Sequence, residues 1–279
     1  RKFNMIKFKI IYLYSLLILS SLAINCSEDE IVMENPVPVD SSDFRYPFTD
    51  GSTWEFTNTQ SVSDIRPDSI RQYFTEFPIT TSGTVTILYD TVINSVLTKC
   101  FLEEYNYEFG NISNRYYYIN NDTALILYYS HLNGPSFGIP TNRININYSK
   151  IRYDNSKVIR SDNSVLETDS IQTVIKYPIV TGYEWNIFNA ALKGDINEKY
   201  IGFENVNVPS GNISCMKLKT TYPFLITSPI YKYYSKFGLM KRKWFIDDNE
   251  HTSITNPDGD GTYDLTDETV VTSFHINSK

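Results

Sequence analysis

The stretch YPFTDGSTWEF at 46–56 returns as YPIVTGYEWNI at 177–187. Tyr46, Pro47, Gly51 and Trp54 are matched at identical spacing by Tyr177, Pro178, Gly182 and Trp185. Recurrence of this kind marks a chain built from repeated units. Proline sets a rigid entry, glycine permits a tight turn, and the tryptophan then opens a strand with its ring inward. Pro47, Gly51, Trp54, Pro178, Gly182 and Trp185 are therefore expected at the core of two similar units. Looser echoes follow: LTKCFLEE (97–104) with ISCMKLKT (213–220), and RYYYI (115–119) with IYKYY (230–234).

The rest of the chain repeats one local pattern. Runs rich in Ile, Val, Thr, Tyr and Phe are separated by turn residues, and 22 Tyr and 16 Phe supply much of the apolar surface. Such runs read as strands. In RININY (143–148) Ile144, Ile146 and Tyr148 share one face and Asn145 and Asn147 the other. SIRQYFTEF (69–77) reads as a further strand, and WNIFNAALKG (185–194) is the best helix candidate. The expectation is an all-β antiparallel fold, a sandwich or an open half barrel with little helix. It divides into halves of about 45–168 and 169–279.

The start of the chain carries an address. Met5 is the first candidate initiator, and residues 1–4 read as upstream read-through. Lys7 and Lys9 precede an apolar run of 15 residues, 10–24. A helix needs about 20 apolar residues to span a bilayer. The layout of residues 1–25 is that of a secretory signal peptide. Leu22-Ala23-Ile24-Asn25-Cys26 resembles the lipobox of bacterial lipoproteins, although that motif favours Leu where Ala23 stands and Gly or Ala where Asn25 stands. The resemblance implies an acylated Cys26 as the mature N-terminus and an anchor in the membrane, since two acyl chains suffice for stable binding. Ser27-Glu28-Asp29-Glu30 resembles the acidic export signal of Bacteroidota surface lipoproteins, which implies the outer membrane and its outer face. Residues 26–44 hold acids, prolines and serines and read as a tether.

Beyond its start, the chain resembles a group of bacterial lipoproteins that carry P-(apolar)-x-x-G-x-x-W-x-(aromatic) twice. A V-P-(small)-G turn, a Tyr-rich strand and a Gly-(apolar) step follow. Here these are Val208-Pro209-Ser210-Gly211, Tyr231 to Tyr234, and Gly238-Leu239-Met240. Related lipoprotein carriers are curved antiparallel sheets around an apolar cavity, so the resemblance raises a carrier of an acyl chain or other apolar ligand.

Charge narrows the partners. The net charge is −7; residues 1–25 hold four of the 25 basic residues and no acid, so a chain starting at Cys26 has 21 basic against 32 acidic residues, or −11. That balance excludes the basic footprint of a nucleic-acid binder. A glycan, a peptide or an envelope protein remains as partner, beside the membrane reached through Cys26.

His131, His251 and His275 are far apart, there is no Gly-Lys of a phosphate loop, and no Gly-x-Ser-x-Gly elbow. No catalytic set is identified. Glu103-Glu104 and Asp247-Asp248 are adjacent pairs; on a strand such residues point to opposite faces, and they read as exposed acids at strand ends. Cys100 and Cys215 fall at matching places in the echo, and an oxidising compartment would allow a disulfide between them. NPDGDGTYDLTD (256–267) resembles an EF-hand calcium loop, with Asn256, Asp258, Asp260, Thr262, Asp264 and Asp267 as candidate Ca2+ ligands and Gly261 at the turn. Asp68-Ser69-Ile70, Asp90-Thr91-Val92, Asp122-Thr123-Ala124 and Asp169-Ser170-Ile171 resemble the O-glycosylation triplet of Bacteroidota. The reading that follows is an envelope lipoprotein serving as a non-catalytic binding or structural module. The carrier is the first alternative, and a surface glycan hydrolase or glycan-binding accessory protein the second.

Overall fold

The computed structural model describes residues 43–107, 110–140, 171–189, 194–222, 228–251 and 260–277. The apolar-polar alternation becomes twelve antiparallel strands. In chain order they are β1 (Thr53–Arg66), β2 (Ile79–Ile93), β3 (Val96–Tyr107), β4 (Gly110–Asn120), β5 (Ala124–His131), β6 (Gln172–Lys176), β7 (Glu184–Asn189), β8 (Gly194–Val208), β9 (Gly211–Thr221), β10 (Ile230–Ser235), β11 (Gly238–His251) and β12 (Gly261–His275). They form one sheet in the order β6-β5-β4-β3-β2-β1-β12-β11-β10-β9-β8-β7. Two six-stranded meanders, β1–β6 and β7–β12, are thus joined where β1 pairs with β12. The sheet curls into a nearly closed barrel, an all-β architecture as expected. The meanders meet in sequence at residues 177–183, because Gln172–Lys176 pairs with β5 and closes the first meander later than residue 168.

The two turns of the opening echo have matching geometry. Gly51 and Gly182 take φ of +77° and +85°, a region that glycine enters without steric penalty. Gly51 N–H donates to the Ile87 carbonyl at 2.8 Å, and Ile87 N–H returns a bond to Ser52 at 2.9 Å. Gly182 and Tyr200 make the corresponding bonds at 2.8 and 3.0 Å, with Tyr183 in the place of Ser52. Trp54 and Trp185 are both buried inward.

The end strand β6 is tied by side chains to β7 and to β8 behind it. The Tyr200 hydroxyl donates to the Lys176 carbonyl at 2.5 Å and accepts from Lys176 N–H at 2.8 Å. Trp185 Nε1 donates to the Thr173 carbonyl at 3.4 Å. One phenol thereby stands in for a rung of the missing ladder.

Inward positions are mostly aromatic and aliphatic, among them Phe56, Phe101, Tyr116, Tyr118, Tyr234 and Trp244. Outward positions include Lys199, Lys219, Lys241 and Lys243. No helix among the described residues is long and apolar enough to cross a membrane.

Three sequence expectations are corrected. Asp68–Phe74 is a 3-10 helix rather than a strand. Ile70, Tyr73, Phe74 and Phe77 stand at helical spacing; Ile70 and Phe74 are buried, and the Phe74 ring lies 4.6 Å from that of Tyr263. Residues 184–189 form β7 rather than a helix, since Trp185 and Ile187 point inward between exposed Glu184 and Asn186. The polar run before Asp267 is not wholly loop: from Gly261 it is β12, with Tyr263, Leu265, Asp267, Thr269 and Val271 all inward. The expected strand at 143–153 lies outside the described residues.

Candidate functional site

Strand alternation carries a group of acidic and basic side chains into the barrel. Glu103 lies between Phe101 and Tyr105 on β3, Glu198 between Ile196 and Tyr200 on β8, and Lys232 between Ile230 and Tyr234 on β10. Arg242 and Asp267 join them from β11 and β12. Glu103 and Glu198 are 0% exposed and Lys232 2%. A charge this deep must be paired or fully hydrogen-bonded, or it opposes folding.

Glu103 is satisfied by a segment that enters the barrel after β5. Leu132–Pro140 has no strand partner, and Phe137, Ile139 and Pro140 are buried. Phe137 and Gly138 N–H both donate to Glu103 Oε1 at 2.8 Å. Asn114 Nδ2 and the Tyr116 hydroxyl donate to Oε2 at 3.0 and 3.2 Å. Asn114 also donates to the Pro135 carbonyl at 2.8 Å and accepts from Asn133 and Gly134 N–H at 2.8 and 3.2 Å. Tyr105 bonds the Pro135 carbonyl, Tyr118 the Pro140 carbonyl at 2.6 Å, and Arg242 the Ser136 carbonyl at 2.9 Å. Gly138 admits this packing because a Cβ there would lie 2.5 Å from the Phe56 ring. The segment is an internal plug held from both meanders.

The other charges are met by side chains. Lys232 Nζ donates to Glu198 Oε1 at 3.2 Å, and the Thr220 hydroxyl to Oε2 at 2.8 Å. Asp267 accepts from Asn58 at 2.7 Å, Gln60 at 3.0 Å and Arg242 at 3.4 Å. Burial pushes the Glu103 carboxyl above the usual range, opposed by its hydrogen bonds from Asn114, Phe137 and Gly138. Burial also raises Glu198, opposed by Lys232, and lowers Lys232 against the pull of Glu198. Both oxygens of each glutamate are engaged, so the cluster holds structure in place and presents no idle carboxylate as a general base.

The sequence-selected residues are scattered. Glu103 is buried, not an exposed strand-end acid; only its neighbour Glu104 faces out. Asp247 and Asp248 are exposed, the latter 2.5 Å from Arg66. Cys100 and Cys215 are free and buried. They lie on β3 and β9 with five strands between them, which excludes the disulfide. Cys215 is also not the counterpart of Cys100. Ile87 faces Phe101 in the first meander as Tyr200 faces Leu218 in the second, so Cys100 matches Lys217. Of the proposed calcium ligands, Asn256 and Asp258 lie outside the described residues, Asp260 is exposed, and Thr262, Asp264 and Asp267 are on β12. Asp264 and Asp267 point to opposite faces of that strand, and Asp267 is bound within the barrel. No group of three or more metal-ligating side chains forms among the described residues. Cys26 lies outside them. Sequence reasoning missed Glu198, Lys232, Arg242 and the plug; the readable signal was a charge on the apolar parity of a strand.

No protein-family model matches the chain. No curated protein matches it either. Among solved structures, a protein described as a lipoprotein from Parabacteroides distasonis is similar at 13% identity and a TM-score of 0.33, over 83% of this chain and 98% of that one. One from Bacteroides fragilis, described as an exported protein with a YmcC-like fold, is similar at 10% identity and a TM-score of 0.31, over 83% and 99%.

Proposed function

We propose that this chain is a cell-envelope lipoprotein, anchored in the outer membrane through acylated Cys26 and displayed at the cell surface, that serves as a non-catalytic binding or structural module. One observation carries the module reading: the chain's own Leu132–Pro140 segment enters the barrel and is locked there by hydrogen bonds to Glu103, Asn114, Tyr118 and Arg242. A carrier needs that space for its ligand, and a glycoside hydrolase needs two carboxyl groups free to face a sugar. Work is then left to the outside of the barrel. The anchor rests on the lipobox-like residues before Cys26 and the acidic run after it. Calcium at 256–267 would be an addition to this role.

The matched turns at Gly51 and Gly182, and the two six-stranded meanders they open, support descent from one duplicated β unit.

Three measurements test the reading. Metabolic labelling with a palmitate analogue should mark the native chain and not Cys26→Ser, and protease added to intact cells should remove it. Solvent extraction of purified Cys26→Ser should yield no stoichiometric lipid. An acyl compound recovered there would replace the module with the carrier.

A further inference from the structure

We propose that the outer face of β8–β11 binds an acidic polysaccharide. The inference rests on the binding-module reading and names its partner. Strand register lays out one row across this face: Glu184, Lys199, Lys219, Tyr231, Lys243 and Glu268, each directly opposite the next. Neighbouring strands lie about 4.8 Å apart, so Lys219 and Lys243 flank Tyr231 at roughly 10 Å from each other. Beside it a second row holds Lys217, Tyr233 and Lys241 in register, with the Tyr233 ring buried. Five lysines around two tyrosines stand out on a chain whose net charge is −7.

Three of these lysines have local partners. Lys199 meets Glu184 at 3.3 Å, Lys217 meets Glu204 at 3.0 Å, and Lys241 meets Glu268 at 2.6 Å. Lys219 and Lys243 form no ion pair among the described residues, and they are the two beside Tyr231. The tyrosines are held in place: Lys217 Nζ lies 4.7 Å from the Tyr231 ring centroid and 5.3 Å from that of Tyr233. The face therefore offers a fixed, half-exposed ring between two ammonium groups that are outside any ion pair. A pyranose ring packs its C–H face on an aromatic ring, as apolar surfaces do. Carboxylates on that sugar and its neighbour would take charge-assisted bonds from Lys219 and Lys243.

The ends of the row select against a nucleic acid. Glu184 and Glu268 close the positive stretch after three strand spacings, whereas a nucleic-acid backbone would carry its evenly spaced phosphates on past those carboxylates.

The test uses full-length protein in neutral detergent, titrated with an oligogalacturonate and, separately, with its fully methyl-esterified form. Wild type should bind the acid and not the ester, and more weakly as salt rises. Lys219→Gln/Lys243→Gln should weaken binding at least tenfold with an unchanged melting temperature. Tyr231→Leu should weaken it severalfold. Arg66→Gln/Arg71→Gln, which removes two exposed cations elsewhere, should stay within twofold. Equal binding of the ester, no binding at all, or equal loss in both double variants would overturn the proposal. So would an oligothymidylate or an anionic phospholipid vesicle that binds as tightly as the oligogalacturonate. Failure here leaves the lipid anchor and the plugged interior standing, since those are read from labelling and extraction.

Discussion

Glu103 and Glu198 are both sealed inside one sheet, one in each meander, and they are neutralised by different means. Glu103 takes two backbone N–H groups from the plug, plus Asn114 and Tyr116. Glu198 takes a lysine and a threonine. The lattice makes the contrast sharper. Tyr116 faces Phe101 on β4–β3, and Lys232 faces Leu218 on β10–β9, so tyrosine and lysine occupy matching sites. Where main chain enters the barrel, its dipoles solvate the carboxylate and a neutral phenol completes the shell. In the second meander the counter-charge comes from the strand itself. A curved sheet with one geometry can thus bury an acid in two ways, and the choice follows from whether a loop is folded inward.

The strongest test of this contrast is Lys232→Met. It leaves Glu198 buried with its charge uncompensated, and loss of one partner of a buried pair costs about 3–5 kcal/mol. Urea unfolding at pH 7 should show a loss in that range. Lys232→Met/Glu198→Leu should regain most of it, because two apolar side chains can fill the space of an ion pair. Tyr116→Phe, at the matching site, removes one neutral hydrogen bond and should cost only about 1 kcal/mol. Equal losses for Lys232→Met and Tyr116→Phe would mean that the two glutamates are solvated alike.

The two joins of the sheet invite a second comparison. β1 and β12 are stitched by a long backbone ladder, from Thr53 with His275 to Arg66 with Thr262. β6 is held to β8 by the Tyr200 phenol and to β7 by Trp185. Tyr200→Phe strands an N–H and a carbonyl of Lys176, and an unsatisfied buried group costs about 1–3 kcal/mol. Its counterpart Ile87 makes no such bond, so Ile87→Val should cost about 0.5–1.5 kcal/mol from lost methyl burial alone. Hydrogen exchange should be faster at Lys176 in Tyr200→Phe and unchanged along β1. Unaltered exchange at Lys176 would show that the join is held by something other than the phenol.

Much of this architecture could be read from local pattern, and its limits are physical. Alternation in TWEFTNT names a strand without naming its neighbour, and the pairing of β1 with β12 joins opposite ends of the chain. Residues 69–77 misled because Ile70, Tyr73 and Phe74 have strand-like composition at helical spacing. The buried charges followed the opposite logic. Asp267 sits on the same parity as Leu265 and Thr269, yet Asp-rich spelling drew attention to calcium. Glu103 sits between Phe101 and Tyr105, yet adjacency to Glu104 drew attention to the pair. Parity was the better guide than neighbourhood. The plug, HLNGPSFGIP at 131–140, has the Gly and Pro of a surface loop; nothing local announces that Phe137 and Ile139 turn inward to meet Glu103.

Glu103 also sets the smallest expected effect. Burial raises its carboxyl above the ordinary value of 4.5, so the folded chain holds that proton more tightly than the unfolded chain. Its contribution to stability is therefore fully present below about pH 4.5 and is lost as pH rises through the raised value. Glu103→Gln keeps an oxygen for Phe137 and Gly138 N–H, and places an amide against Asn114 and Tyr116. The changed bonds should alter stability by about 1 kcal/mol, with no titration at this site. Glu198 is also raised, but it is present in both proteins and cancels from their difference. Chemical denaturation from pH 4 to pH 8 should show wild type losing stability relative to Glu103→Gln as pH rises, then a constant gap once the carboxyl is fully ionised. A gap that moves the other way would mean that the plug's N–H groups outweigh burial and hold Glu103 as a well-solvated anion. The contrast with Glu198 would then be one of donor identity alone.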